Sequence, residues 1–151
     1  MPIQAKYVHT NLIARDWKKL VRFYVDVFGC APKGRERDMS GAWLDEVTSI
    51  RGAHLTGVHL RLPGYGDDGP TLEIFSYDEL IESDLPAANQ CGFAHIAFAV
   101  EDVDEALRAV IAAGGGVVGK VATTDVHSVG KLRVVYARDP EGNIIELQRW
   151  T

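Results

Sequence analysis

Apolar and polar positions along the chain follow one order twice. Residues 6–13 (KYVHTNLI) mix β-branched and apolar side chains without a helical period, which predicts a strand. Asp16 then stands at the N-cap of a helical stretch whose apolar face holds Trp17, Leu20, Val21, Tyr24 and Val27 or Phe28, and Gly29 ends it. The second half opens the same way. Residues 93–100 (FAHIAFAV) read as a strand and Asp102 as a cap. Val103, Ala106, Leu107, Val110 and Ile111 make the buried helical face, and Gly114, Gly115 and Gly116 close it. Strand-like runs follow in both halves, at 42–50, 55–62 and 71–77, then at about 117–123, 131–138 and 143–149. Each half therefore reads as strand, helix and three strands.

Turn chemistry separates these runs. Residues 63–70 (PGYGDDGP) are too rich in Gly, Pro and Asp to be other than a loop, and 139–143 (DPEGN) form a tight turn before the last strand. Residues 78–92 link the halves. His9 and His95, Asp16 and Asp102, and Gly29 and Gly115 share one offset of 86 positions. From His9 to Glu73 is 64 residues and from His95 to Glu146 is 51, so the first half carries 13 more. The extra length is expected in loops around 31–41 and 63–70, placed to cover the mouth of a site.

Strand parity selects the residues that carry chemistry. His9 shares a face with Tyr7, Asn11 and Ile13, and His95 with Phe93, Ala97 and Ala99. Glu73 goes with Thr71, Phe75 and Tyr77, and Glu146 with Ile144, Gln148 and Trp150. Most of the bulky aliphatics in these strands oppose the His or Glu. One face is thus expected to pack on the helices and the other to line a cavity. Two imidazoles and two carboxylates there are costly to bury without a cation, because close unpaired carboxylates repel. A divalent metal resolves both problems.

Composition leaves room for this reading. A chain of 151 residues, 46% hydrophobic and 25% charged, suits one compact domain with a core of its own. A net charge of -5 without clustered Lys and Arg argues against a nucleic-acid partner. No run approaches a membrane span, and the opening MPIQAK lacks the apolar core of a signal peptide, so the expected setting is the cytoplasm with no membrane partner. Cys30 and Cys91, with no C-x-x-C spacing, read as free thiols.

The order of motifs resembles the vicinal oxygen chelate superfamily, which contains glyoxalase I, methylmalonyl-CoA epimerase, extradiol dioxygenases, and fosfomycin and bleomycin resistance proteins. The resemblance rests on His9 followed by Asp16, Phe23-Tyr24 in a helix ending at Gly29, Leu72-Glu73, His95, and Asp139 to Asn143 followed by Glu146-Leu147. It covers nearly all of residues 1–151. It implies an α+β fold, two βαβββ modules in tandem (about 5–77 and 93–150) forming a cupped mixed sheet around one metal site, and a homodimer. Carried over, the metal ligands are His9, Glu73, His95 and Glu146.

The ligand set narrows the implied chemistry. Two neutral His and two carboxylates balance a divalent ion, and six-coordination with two substrate oxygens suits Ni, Co, Mn or an expanded Zn site. Glyoxalase I has His, Glu, His, Glu at these positions. That resemblance implies a hemithioacetal substrate, proton transfer through an enediolate, Glu146 as leading base and Glu73 as its partner. Methylmalonyl-CoA epimerase, acting on a thioester, usually has Gln at position 73. It also has a further Glu on the second strand of the first module, where this chain offers Asp45 and Glu46. Extradiol dioxygenases use two His and one carboxylate. Ligand-sequestering members, the non-catalytic class, usually lack the metal residues.

Other residues have plainer readings. His59 could line the cavity but is expected as a core or edge histidine, and His54 and His127 as solvated residues. Arg15, Arg22, Arg35, Arg37 and Lys120 fit no glutathione-binding motif. Trp43, Phe75, Tyr77, Phe93 and Trp150 are expected in packing, with Phe75 and Phe93 on the cavity side.

Overall fold

A computed structural model describes all 151 residues. The chain forms two compact units, Met1–Ile81 and Glu82–Thr151. In the first, β1 (His9–Ile13), α1 (Trp17–Phe28), β2 (Ala31–Ser40), α2 (Ala42–Thr48), β3 (His54–Arg61) and β4 (Thr71–Tyr77) follow in order. Its sheet runs β1-β4-β3-β2, with β1 parallel to β4 and the other pairs antiparallel.

Helix α1 begins where the Asp16 carboxylate accepts the Lys19 N–H at 3.0 Å, a cap of the kind that contributes about 1 kcal/mol. It ends where Gly29 turns left-handed at φ 70. There the Gly29 and Cys30 N–H groups donate back to the carbonyls of Val25 and Tyr24. Leu20, Phe23 and Tyr24 are its buried face. They pack toward β3 and β4, whose Val58, Leu60, Leu72 and Ile74 are each under 5% exposed. Full burial of one such side chain stabilises by roughly 1.5–3 kcal/mol.

Two elements of the first unit differ from the sequence expectation. Residues 31–40 are a strand, not a loop over the mouth of a site, and 42–48 are a helix, not a strand. The reason lies in the edge position of β2. It pairs only with β3, carries Pro32 and five charged residues, and bulges between Lys33 and Arg37, so its pattern lacks an apolar face. Helix α2 buries only Leu44, against Ala53, Leu55 and Phe75. One buried position in seven residues leaves no helical period to read.

The second unit holds β5 (His95–Ala99), α3 (Val103–Ala112), β6 (Gly116–Val117), β7 (Ala122–Val126), β8 (Gly130–Arg138) and β9 (Ile144–Trp150). The sheet order is β5-β9-β8-β6, with β7 also on β8 and β5 parallel to β9. The single strand expected at 117–123 is thus two short ones, both paired to β8. Asp102 caps α3 by accepting the Glu105 N–H at 2.9 Å, and that bond holds its carboxyl below the usual value. Val103 and Val110 are buried on α3, which packs on β8 and β9, as are Val135, Ala137, Ile145 and Leu147. Asp139 anchors the turn before β9 by accepting the N–H groups of Glu141 and Asn143.

The linker 78–92 holds no helix or strand. Cys30 is buried and Cys91 exposed, both as free thiols, and burial pushes the Cys30 thiol up to about 11. No helix is long and apolar enough to cross a membrane.

Candidate metal centre

Register brings three side chains of the first unit together. Asn11 on β1 and His59 on β3 both lie opposite Glu73 on β4, and His9, two residues from Asn11, shares their face. The Glu73 carboxylate lies 2.7 Å from His59 Nε2 and 3.5 Å from His9 Nε2. It also accepts a hydrogen bond of 2.9 Å from Asn11 Nδ2. On its far side, His59 Nδ1 lies 3.0 Å from the hydroxyl of buried Thr71. The two imidazoles meet edge to face at 5.4 Å.

Burial orders the charges. The Glu73 side chain is 13% exposed and the His9 side chain 38%. Burial holds the His59 imidazole below its ordinary 6.5, against the pull of Glu73 and with the help of Arg37, His9 and Lys33. With the Glu73 carboxylate as acceptor, His59 donates to it from Nε2, and Nδ1 of the neutral ring accepts a hydrogen bond from the Thr71 hydroxyl. Ligand atoms of His9, His59 and Glu73 all lie within 4.8 Å of one another. Two imidazole nitrogens and a carboxylate are a donor set that fits a divalent transition metal.

The second unit repeats the placement with one exchange. Ala97 on β5 and Tyr136 on β8 lie opposite Glu146 on β9, and His95 stands two residues from Ala97. His95 and Glu146 therefore hold the positions of His9 and Glu73, while Tyr136 holds that of His59. The Tyr136 and His95 rings are 4.8 Å apart. Gln148 donates to Glu146 Oε2 at 2.7 Å and accepts from Trp150 Nε1, which confirms that these three side chains share a face.

His59 is the residue that sequence reasoning undervalued. Arg61 pairs with Thr71 across a nine-residue loop, 62–70, and that register alone sets His59 opposite Glu73. His54 is partly exposed, as expected, and its ring nitrogens also bridge two exposed carboxylates, Asp38 at 2.6 Å and Asp78 at 2.9 Å. Asp45 accepts the N–H groups of Gly52 and Ala53 at 2.8 and 2.9 Å, and so holds the turn into β3. Glu46 is exposed on α2. Arg37 lines a cavity of about 520 Å³ beside His59, with Lys6, Tyr7, Lys33, Asp68 and Thr71. Arg15, Arg22, Arg35, Lys120 and His127 are exposed.

The hydrogen bonds that His54 donates to Asp38 and then Asp78 raise its pKa above 6.5. A raised folded value means that the stabilisation is complete below the unfolded pKa and is lost as pH rises through the folded one. An NMR titration is expected to place the His54 midpoint above 6.5 and to move it down in Asp38→Asn; a midpoint unmoved by that change contradicts the assignment.

Comparison with known proteins agrees with this architecture. The chain is similar to a probable lactoylglutathione lyase of Vibrio parahaemolyticus, 28% identical over 144 residues, 94% of this chain and 88% of the relative. The crystal structure of a glyoxalase family protein from Bacillus cereus covers 99% of this chain and 96% of its own, at a TM-score of 0.82 and 18% identity. A glyoxylase/bleomycin resistance protein/dioxygenase domain from Frankia sp. EAN1pec covers 99% and 100%, at a TM-score of 0.63 and 19% identity. At such identities the structures establish the fold, the mixed α+β arrangement of vicinal oxygen chelate proteins. The family profile matches residues 6–147. The chain belongs to the Glyoxalase/Bleomycin resistance protein/Dioxygenase superfamily.

Proposed function

We propose that the protein is a metal-dependent lyase or isomerase of glyoxalase I type, its divalent ion held by His9, Glu73, His95 and Glu146. The observation that carries this reading is the repeated placement: in each unit a His on the first strand shares a face with a Glu on the strand parallel to it. A divalent ion bound there, Ni, Co, Mn or Zn, supplies Lewis acidity toward two neighbouring substrate oxygens. The remaining steps fall to side chains. Glu146 takes the proton from one substrate carbon and returns it to the next. The Gln148 bond to Oε2 leaves Oε1 for that work. Glu73 is the partner carboxylate, and both of its oxygens are already engaged by Asn11 and His59.

Lys6, Lys33 and Arg37 beside this face support a substrate with an anionic arm, such as a hemithioacetal formed with an acidic thiol or an acyl-CoA thioester. The Vibrio relative's name, lactoylglutathione lyase, favours the hemithioacetal. The epimerase reading loses Asp45, whose carboxylate is committed to backbone N–H groups. One observation favours a second reading. His9, His59 and Glu73 form a two-His, one-carboxylate set, the type used by oxygenases. A homodimer in the cytoplasm remains the expected state. Metal-loaded protein in heavy water is expected to exchange the carbon-bound proton of a hemithioacetal. Oxygen incorporation into a catechol without such exchange overturns the lyase reading.

A further inference from the structure

We infer that His59 is the positioning residue of Glu73, fixing the orientation in which that carboxylate meets the metal; the step from orientation to metal binding rests on the reading above. Three observations carry it. Antiparallel register sets His59 directly across from Glu73, so the contact is built by the sheet and not by a mobile loop. His59 Nε2 lies 2.7 Å from one Glu73 oxygen while Asn11 Nδ2 holds the other at 2.9 Å. Thr71, one of two buried polar residues, faces His59 Nδ1 at 3.0 Å and so orients the ring from behind.

The chemistry of the groups explains what this arrangement does. A carboxylate oxygen has two lone-pair sites, so one hydrogen bond to each oxygen leaves capacity for an ion. A Glu already held in one orientation loses less freedom on binding than a free one. Partners that orient a ligand are worth 10–100-fold in metal affinity. The second unit lacks the device, because Tyr136 occupies the corresponding place opposite Glu146. The two glutamates are thereby distinguished: Glu73 is held at both oxygens, by Asn11 and His59, whereas Glu146 is held at one, by Gln148.

Titration of metal-free protein with Mn(II) is the test, using wild type, His59→Ala and His59→Gln. His59→Ala is expected to weaken binding about 10–100-fold at unchanged stoichiometry. His59→Gln, whose amide N–H can still donate to Glu73, restores most of it. Pulsed EPR counts the same number of imidazole nitrogens on the ion in wild type and His59→Ala. NMR couplings of the Glu73 methylenes in metal-free protein give a readout independent of the metal: one rotamer in wild type and His59→Gln, averaging in His59→Ala. Wild-type affinity in His59→Ala, one fewer imidazole there, or an averaged Glu73 in wild type overturns the inference. Failure of every form to bind metal, with Glu73 still fixed by His59, defeats the metal centre and upholds the positioning role.

Discussion

Replacing Glu146 with glutamine is expected to slow proton exchange at the substrate carbon by about 10²–10⁴-fold, the usual worth of a positioned general base. Glutamine keeps the shape and still accepts from Gln148 Nε2, so the β9 face with its Gln148 and Trp150 contacts persists. What it removes is the proposed base. Because Glu146 is also a proposed ligand, the rate is compared per bound ion, with metal content measured on the same sample. A rate per ion within threefold of wild type contradicts the assignment of the base. The corresponding change at Glu73 is expected to act mainly on affinity, since that carboxylate is tied by Asn11 and His59.

Gly57→Ala is expected to produce the largest loss of stability, about 3 kcal/mol or more. A Cβ at Gly57 would lie 2.0 Å from the Ile74 carbonyl oxygen and 2.8 Å from the Phe75 Cα, and neither backbone atom can swing aside. Phe75 Cδ1 would be met at 2.5 Å, and that ring packs with Leu44, Ala53 and Leu55. Relief requires β3 and β4 to part at the Gly57–Phe75 pair, two residues from the row that joins His59 to Glu73. Urea unfolding measures the loss through the midpoint at constant slope. A change under 0.5 kcal/mol shows that the sheet accommodates the methyl group. Weakened metal binding is expected to accompany the loss, because the same pair of strands holds the carboxylate.

Much of this architecture is legible in the pattern of residues, and the failures have physical causes. Helices α1 and α3 are announced by their Asp caps, their glycine stops and their apolar spacing, all local signals. Strand β4 is read at its observed bounds because buried Leu72 and Ile74 alternate with half-buried Glu73. Strand β2 escapes because an edge strand exposed on both faces needs no apolar alternation. Helix α2 escapes because Leu44 is its one buried residue, which leaves no helical period to read. The faces of His9, Glu73, His95 and Glu146 follow from strand parity. Those of His59 and Thr71 follow too, yet their pairing with Glu73 depends on a register set across the loop 62–70, which no local pattern encodes.

The proposed metal centre is tested most directly by metal content. Protein purified without chelators, offered Ni, Co, Mn and Zn in turn and then dialysed, is measured for bound ion beside Glu73→Gln and Glu146→Gln. One divalent ion per chain is expected in wild type, and a weaker or absent ion in each variant at unchanged fold. A wild-type protein that retains none of the four metals contradicts it.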